Sequence, residues 1–534
     1  MDKVGASVRG VEDTGTASTA MPQPAPIQSG TMNRPWWESR PYVAALILLS
    51  AVPLLYPSVP PLVDLLGHMG RYRVELDLDT SPWLGRYYGF EWHAIGNLGV
   101  DLLIIPLSKL FGLELAVKLI VLSIPPMTVA GFLWVAREVH HRLPPTAAFA
   151  LPFAYSHPFM FGFVNYVLSI ALAFLAFGLW LRLARLDRLK LRAILFVPIS
   201  FVVFFAHTFG WGMLGLMAFS AEAVRQHDRG IGWVKAGFRA AAHAIVMALP
   251  VLIIVNWRGE VKGPLYHDWF KLQTKLEAFV SVFRDRWLAF DLGSLVVIIA
   301  LLVYALASRR LTLSRNLAFS ALVLFAVYVL LPSMVFGSAF ADMRLAPYMF
   351  AVAVLAIRFR GATELRLART LAILGLSFLL VRTAATTASM AMAANDQKAK
   401  LTALDHVPMG ARVASVAGRG CGIQWALQRN AHLGALVISR RHGFSNDQWV
   451  IEGTNLLTLR YRKPGIFAAD PSQIVRPNGC RSRSWRIDRA LARFPREHFD
   501  YLWLIDPPPF DPKLVEGLHP VWRGPDSVLY QVRP

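Results

Sequence analysis

Charge is scarce in this chain. Only 17% of its 534 residues are Asp, Glu, Lys or Arg, against about a quarter in an average soluble domain. Cysteine is scarcer, with Cys421 and Cys480 alone. These shortages exclude a soluble enzyme of ordinary composition and a disulfide-dense secreted scaffold. Two motifs are missing as well. No Gly-rich loop ends in Lys-Ser or Lys-Thr, which argues against an ATP-driven pump. No His-x-x-x-His pair stands on an outer loop, which argues against zinc. Apolar residues take up the space, at 55% of the chain, and several apolar runs are long enough to cross a bilayer core of roughly 30 Å. The sequence describes a polytopic helical membrane protein. Its net charge of +21 suits positive-inside loops and a basic extramembrane face. No basic stripe on a folded reader suggests nucleic acid.

Residues 1–37 are rich in Ser, Thr, Pro, Gly and Ala, have no apolar face, and read as a disordered cytoplasmic tail. A membrane domain is expected over 38–392. Its first span is 41–57, followed by a polar, aromatic-rich outer loop at 58–97. Further spans are expected near 117–136, 143–157, 163–181, 193–206, 208–224, 240–256, 289–307, 317–336, 345–357 and 370–390. Five short loops between alternate spans hold 18 Lys or Arg against four acids, Glu138, Asp187, Asp228 and Glu364. The positive-inside rule puts these loops in the cytoplasm. The intervening segment 98–111 then cannot cross, or every later loop would invert. It should lie as a surface helix, with Asp101 and Lys109 in the headgroup layer. The expectation is eleven spans with the N-terminus inside; a twelfth crossing is the alternative.

The tail, 393–534, reads as an extracytoplasmic α/β domain. Short strands are expected at 412–416, 434–438, 501–505 and 527–530, and a helix at 489–494. Both cysteines fall here, so one disulfide in an oxidising compartment and two free thiols are both open readings.

On this topology the unusual polar residues gather on the outer side. Asp64 and His68 follow span one, and one helical turn between them lets them share a face. Arg71 follows, either as a phosphate partner or as an interfacial side chain. His157 and Asn165 bracket one turn and His207 marks another; such groups also serve to satisfy helix ends. Lys262 sits in the long loop 257–288. Asp342 and Arg344 share a short turn, either as an ion pair locking it or with Arg344 as a phosphate ligand. Ionisable groups near membrane depth are expensive and mark function. One carboxylate, several cations and a wall of apolar helices suit sugar transfer from a lipid phosphate. The cations offset charge on the leaving phosphate, and the carboxylate takes the acceptor's hydroxyl proton. In-line attack would invert the anomeric centre.

Asp64 is followed by Arg71-Tyr72, the surface segment Leu98 to Leu110 comes next, and Leu110-Phe111-Gly112 then leads into Ala116-Val117-Lys118-Leu119. This order resembles the GT-C superfamily of polyprenol-phosphate-sugar-dependent glycosyltransferases, which includes lipid A aminoarabinose transferases and protein O-mannosyltransferases. The chain departs from that pattern where Leu65 takes the place of a second acid. The resemblance implies a bacterial inner-membrane enzyme with Asp64 as base or metal ligand and Arg71, Arg344, Lys262, His157 and His207 around the donor phosphate. It implies a polyprenyl-phosphate-linked sugar as donor, a glycan, lipid or protein as acceptor, and contact with membrane lipids. Metal dependence is left open. A transporter or lipid flippase, or a non-catalytic envelope-assembly protein, is the competing expectation.

Overall fold

The structure is a computed structural model that describes residues 35–258, 266–335, 338–361, 364–422, 424–450, 455–481 and 485–533. The expected disordered tail up to 34 and Lys262 lie outside the described residues. The architecture is helical and polytopic, with a sheet-bearing C-terminal domain. Among the described residues, five helices are long and apolar enough to cross a membrane: Leu113–His140, Val164–Arg185, Leu189–Ala206, Leu288–Ala307 and the segment Leu365–His406. Arg40–Leu54 and Arg315–Leu330 are shorter apolar helices.

Several expected spans are not continuous helices, and in two of them proline stands at the interruption. The run at 143–157 forms a 3-10 segment, Ala147–Tyr155, with Pro152 inside it and every side chain buried. The run at 240–256 is divided into Trp233–Ala244, Ile245–Met247 and Val251–Arg258, with Pro250 at the break. A proline has no N–H to donate and clashes with the preceding turn.

Segment 98–111 forms its own helix, Gly99–Phe111. Leu102, Leu103, Leu110 and Phe111 are exposed on it, while Val100 and Ile104 are buried. Asp101 does not face a headgroup layer. It is fully buried and pairs with Arg71 at 2.8 Å. A buried carboxylate needs such a partner, and the pair ties this helix to helix Leu65–Asp77 of the outer loop.

Helix Leu365–Leu401 continues past the expected boundary at 393 into the tail. The tail's main sheet runs Trp485–Arg486, Ile474–Arg476, Arg412–Gly418, Tyr501–Ile505, Ser527–Gln531, His519–Gly524. The first four strands are mutually parallel and the last two antiparallel. Strands 412–416, 501–505 and 527–530 are where the sequence suggests them, and helix Ile487–Ala492 overlaps the expected one. Segment 434–438 is a correction: it folds as a 3-10 turn and helix Leu436–Arg441. Leu433, Ala435, Leu436, Val437 and Ile438 are all fully buried, and a short apolar run buried on every side has no periodicity to separate strand from helix.

The loop at 58–97 and the tail domain are built into one another. Strand Tyr88–Phe90 pairs antiparallel with Leu457–Leu459. Arg429 donates to Asp285 and to the Pro61 carbonyl, each at 2.5 Å. Gln448 donates to the Gly67 carbonyl at 3.1 Å. Leu65, Leu66 and Met69 share one apolar cluster with Leu433, Leu436 and Val437.

Candidate functional site

Asp64 occupies the cap position of helix Leu65–Asp77, yet its carboxylate makes no capping bond. Its backbone is fixed from below by the Phe161 carbonyl, which accepts from the Asp64 N–H at 2.8 Å. Gly162 makes this approach possible. Its φ is +97°, and a Cβ there would stand 2.8 Å from the Asp64 nitrogen. The carboxylate opens into a cavity of about 460 Å³ between the membrane domain and the tail. His157 and Asp342 line the same cavity, with Arg284, His432, Trp449 and Asp470 facing them. Phe161, Phe340, Met343 and Val63 give it apolar walls.

The tail supplies the groups that sequence reasoning missed. His432 Nδ1 lies 2.5 Å from Asp447 Oδ1, and Nε2 lies 3.8 Å from Asp64 Oδ1. The second distance is that of an ion pair, too long for a direct hydrogen bond. Asp447 also accepts from the Ala435 N–H at 3.1 Å, which fixes its orientation. Trp449 covers the imidazole with ring centroids 4.6 Å apart. A Cβ on Gly67 would stand 2.5 Å from that indole, so the glycine is what leaves room for the ring against helix Leu65–Asp77.

These contacts set charge. Burial pushes the Asp64 carboxyl up, His432 opposes this, Asp470 adds to it, and the result is about 7. Burial by itself would discharge His432; the attraction and hydrogen bond of Asp447, with Asp64 behind them, outweigh it and raise the imidazole to about 9. An imidazolium therefore stands beside an acid that titrates near neutrality, which is the range a general base needs.

The remaining expected site residues divide. Arg344 is 6% exposed, close enough for its charge to act on Asp64. Its guanidinium lies over Phe163 at 4.4 Å, its Nη1 donates to the Ala339 carbonyl, and its Nε is buried with no described partner. It does not pair with Asp342. That acid pairs with Lys275 and keeps Oδ2 without a hydrogen bond. His157 Nδ1 contacts Ser281 Oγ at 3.2 Å, leaving Nε2 buried without a described partner. His68 lies next to the cavity wall, its ring tilted against Trp449 with centroids 5.1 Å apart. Burial, then the nearby Arg71 charge, holds His68 well below its ordinary value.

Arg344 and His68 are not among the residues that line the cavity, and three further expected residues are also absent from its wall. Arg71 is committed to Asp101. Asn165 receives the Val100 N–H at 2.6 Å and donates to Asp101 at 3.0 Å, stapling the surface helix to helix Val164–Arg185. His207 caps helix Thr208–Asp228 by accepting from the Phe209 N–H at 3.1 Å. Cys421 and Cys480 form a disulfide that joins the loops after strands Arg412–Gly418 and Ile474–Arg476. Among the described residues, no group of three or more His, Cys, Asp or Glu side chains is arranged to hold a metal.

No protein-family model matches the chain, and no curated protein sequence matches it. Among solved structures, the crystal structure of ArnT from Cupriavidus metallidurans bound to undecaprenyl phosphate aligns with a TM-score of 0.50. The alignment covers 92% of this chain and 97% of that one at 10% sequence identity. The likeness is therefore one of fold, and it agrees with the GT-C layout read from the sequence.

Proposed function

We propose that this protein is an integral-membrane glycosyltransferase that moves a sugar from a polyprenyl phosphate to a hydroxyl on an extracytoplasmic acceptor. The observation that carries the reading is the single cavity in which Asp64, His157 and His432 meet below an apolar wall, with Arg344 near enough to act on the acid. The fold shared with a protein crystallised with undecaprenyl phosphate supports the donor class.

In this reading the acceptor's O–H gives its proton to Asp64 as its oxygen bonds to the anomeric carbon. The bond from that carbon to the phosphate oxygen breaks, and its electron pair leaves with the phosphate. Arg344 and Arg284 offset the charge that grows there, and they do so most strongly away from water. The imidazolium of His432 holds Asp64 ionised until it is needed. Attack opposite the leaving group inverts the anomeric centre. Inner-membrane residence, with the tail domain in the periplasm and the N-terminus in the cytoplasm, completes the proposal. The Cys421–Cys480 disulfide supports that placement, since such bonds persist in oxidising compartments.

The test is deletion of the gene followed by mass spectrometry of glycolipids and envelope polysaccharides. The expected result is one missing sugar, restored by the intact gene and not by the Asp64→Asn variant. An unchanged glycan profile, or full restoration by Asp64→Asn, would remove the reading.

A further inference from the structure

A second cavity, of about 590 Å³, lies beside the first. Leu427, Gln428, Ala431 and Arg419 line both. Its floor is made by the carboxyl ends of the tail's parallel strands: Gly418 after Arg412–Gly418, Pro477 after Ile474–Arg476, and Asp506 after Tyr501–Ile505. The chain builds one side of the sheet from strand Arg412–Gly418 before it crosses to Tyr501–Ile505 on the other. Open α/β sheets bind ligands outside the strand ends at such a switch point.

The charges around this cavity are uneven in how they are used. Its two carboxylates are already occupied: Lys400 pairs with Asp396 and, at 3.0 Å, with Asp506, and Asn430 donates to both at 2.7 Å. Of its three arginines, Arg429 is taken by Asp285 and the Pro61 carbonyl, and the other two are not taken. Among the described residues, neither Arg286 nor Arg419 has a side-chain hydrogen bond or an acidic partner. Arg284 and Arg476 hang on the same loop, through the Gln424 and Trp425 carbonyls and through the Gly420 carbonyl. Arg419 feels both: burial, then the repulsion of Arg476, lowers it, and burial, then the repulsion of Arg419, lowers Arg284. The Cys421–Cys480 bond joins the loop that begins at Arg419 to the loop that follows the strand ending at Arg476, so a covalent tie lies beside these like charges. Two guanidinium groups left without acidic partners, beside carboxylates that are already paired, suit an anion.

We propose that this second cavity is the acceptor site and that Arg286 and Arg419 recognise a phosphate or carboxylate on the acceptor sugar. The assignment rests on the transferase reading and adds to it the chemical class of the acceptor. The shared wall at 427–431 lets a glycan seated over the strand ends reach a hydroxyl into the Asp64 cavity.

The test uses the full chain purified in detergent micelles, with isothermal titration of three probes: glucose 6-phosphate, glucuronate and glucose. Glucose 6-phosphate or glucuronate should bind at least tenfold more tightly than glucose, and the stronger of the two names the anion. Arg286→Gln should weaken that binding at least fivefold, Asp64→Asn should leave it unchanged, and saturating undecaprenyl phosphate should not compete. Equal binding of all three sugars, no effect of Arg286→Gln, or competition by undecaprenyl phosphate would overturn the proposal. If undecaprenyl phosphate fails to bind while the anionic sugar binds as described, the donor reading falls and the anion site stands. The reverse pattern removes the anion site alone.

Discussion

His432 Nε2 stands 3.8 Å from Asp64 Oδ1, the imidazole coming from the tail domain and the acid from the outer loop after the first helix. The membrane domain's candidate base is thus governed by a charge that the tail delivers. Among the described residues, no side chain donates a hydrogen bond to the Asp64 carboxylate. Its oxygens are free to take a proton, while His432, 8% exposed and anchored on Asp447, holds a fixed position beside them.

Asp64→Asn keeps the shape and removes the base. Proton removal by a positioned group contributes about 10²–10⁴-fold, so sugar transfer in proteoliposomes should fall by roughly that factor. Thermal stability should not fall, because a carboxyl raised to about 7 by burial is a cost to the fold above its unfolded value of 3.8. A variant with normal transfer would remove Asp64 from the chemistry.

His432→Gln tests the imidazolium. In the intact protein, transfer should rise as pH passes through about 7, where Asp64 ionises. Without the neighbouring cation, Asp64 holds its proton more tightly, and the rising limb should move to higher pH. The same residue gives a stability signature of definite sign. Its value is raised from 6.5 to about 9, so its contribution is complete below 6.5 and lost as pH climbs through 9. Thermal midpoints measured across that range should fall less in the Gln variant than in the parent. An unshifted rate profile would reduce His432 to a packing residue.

The sequence made the apolar helices and the helix at 98–111 legible because each rests on a local signal, an apolar run or a motif order. It placed three strands of the tail for the same reason. It could not show His432 and Asp447. His432 sits in Asn430-Ala431-His432, and Asp447 in Ser445-Asn446-Asp447-Gln448, both of which read as ordinary polar loops. Only the folded chain shows that Ser445, Asn446, Asp447 and Gln448 are all 2% exposed or less. A buried polar run is the informative observation, but burial is a tertiary property. The misread strand at 434–438 and the Asp101–Arg71 pair share that cause.

Arg429→Ala should loosen the tail from the membrane domain. The guanidinium pairs with Asp285 at 2.5 Å, with side chains 6% and 4% exposed. Removing one partner of a buried pair costs about 3–5 kcal/mol, because the other charge is left uncompensated. Ser389 donates to Asp285 at 2.9 Å and offsets part of this, so the lower end is expected. A fall in the thermal unfolding midpoint, together with faster proteolysis between 402 and 412, would report it. Arg429→Lys should recover little, since one ammonium cannot copy the guanidinium's simultaneous reach to Asp285 and the Pro61 carbonyl.

Gly162→Ala is the substitution that separates position from chemistry, because it touches no charged group. Two effects combine at this residue. A φ of +97° is a conformation that side-chain-bearing residues rarely adopt, and forcing one into the left-handed region costs roughly 1–2 kcal/mol. The added Cβ would also meet the Asp64 nitrogen at 2.8 Å and the Leu65 nitrogen at 2.9 Å, which are backbone atoms that cannot swing aside as a flexible side chain would. The start of helix Leu65–Asp77 must move, and the Asp64 carboxylate moves with it. A displacement near 1 Å at a reacting group can cost about 10²-fold in rate. The expected outcome is a fall in kcat of roughly that size, with KM for the polyprenyl donor little changed, because Arg344 lies on a different helix. A loss confined to KM would place Gly162 in donor binding instead, and a variant with unchanged kcat would show that the loop can relax without carrying Asp64 away from His432.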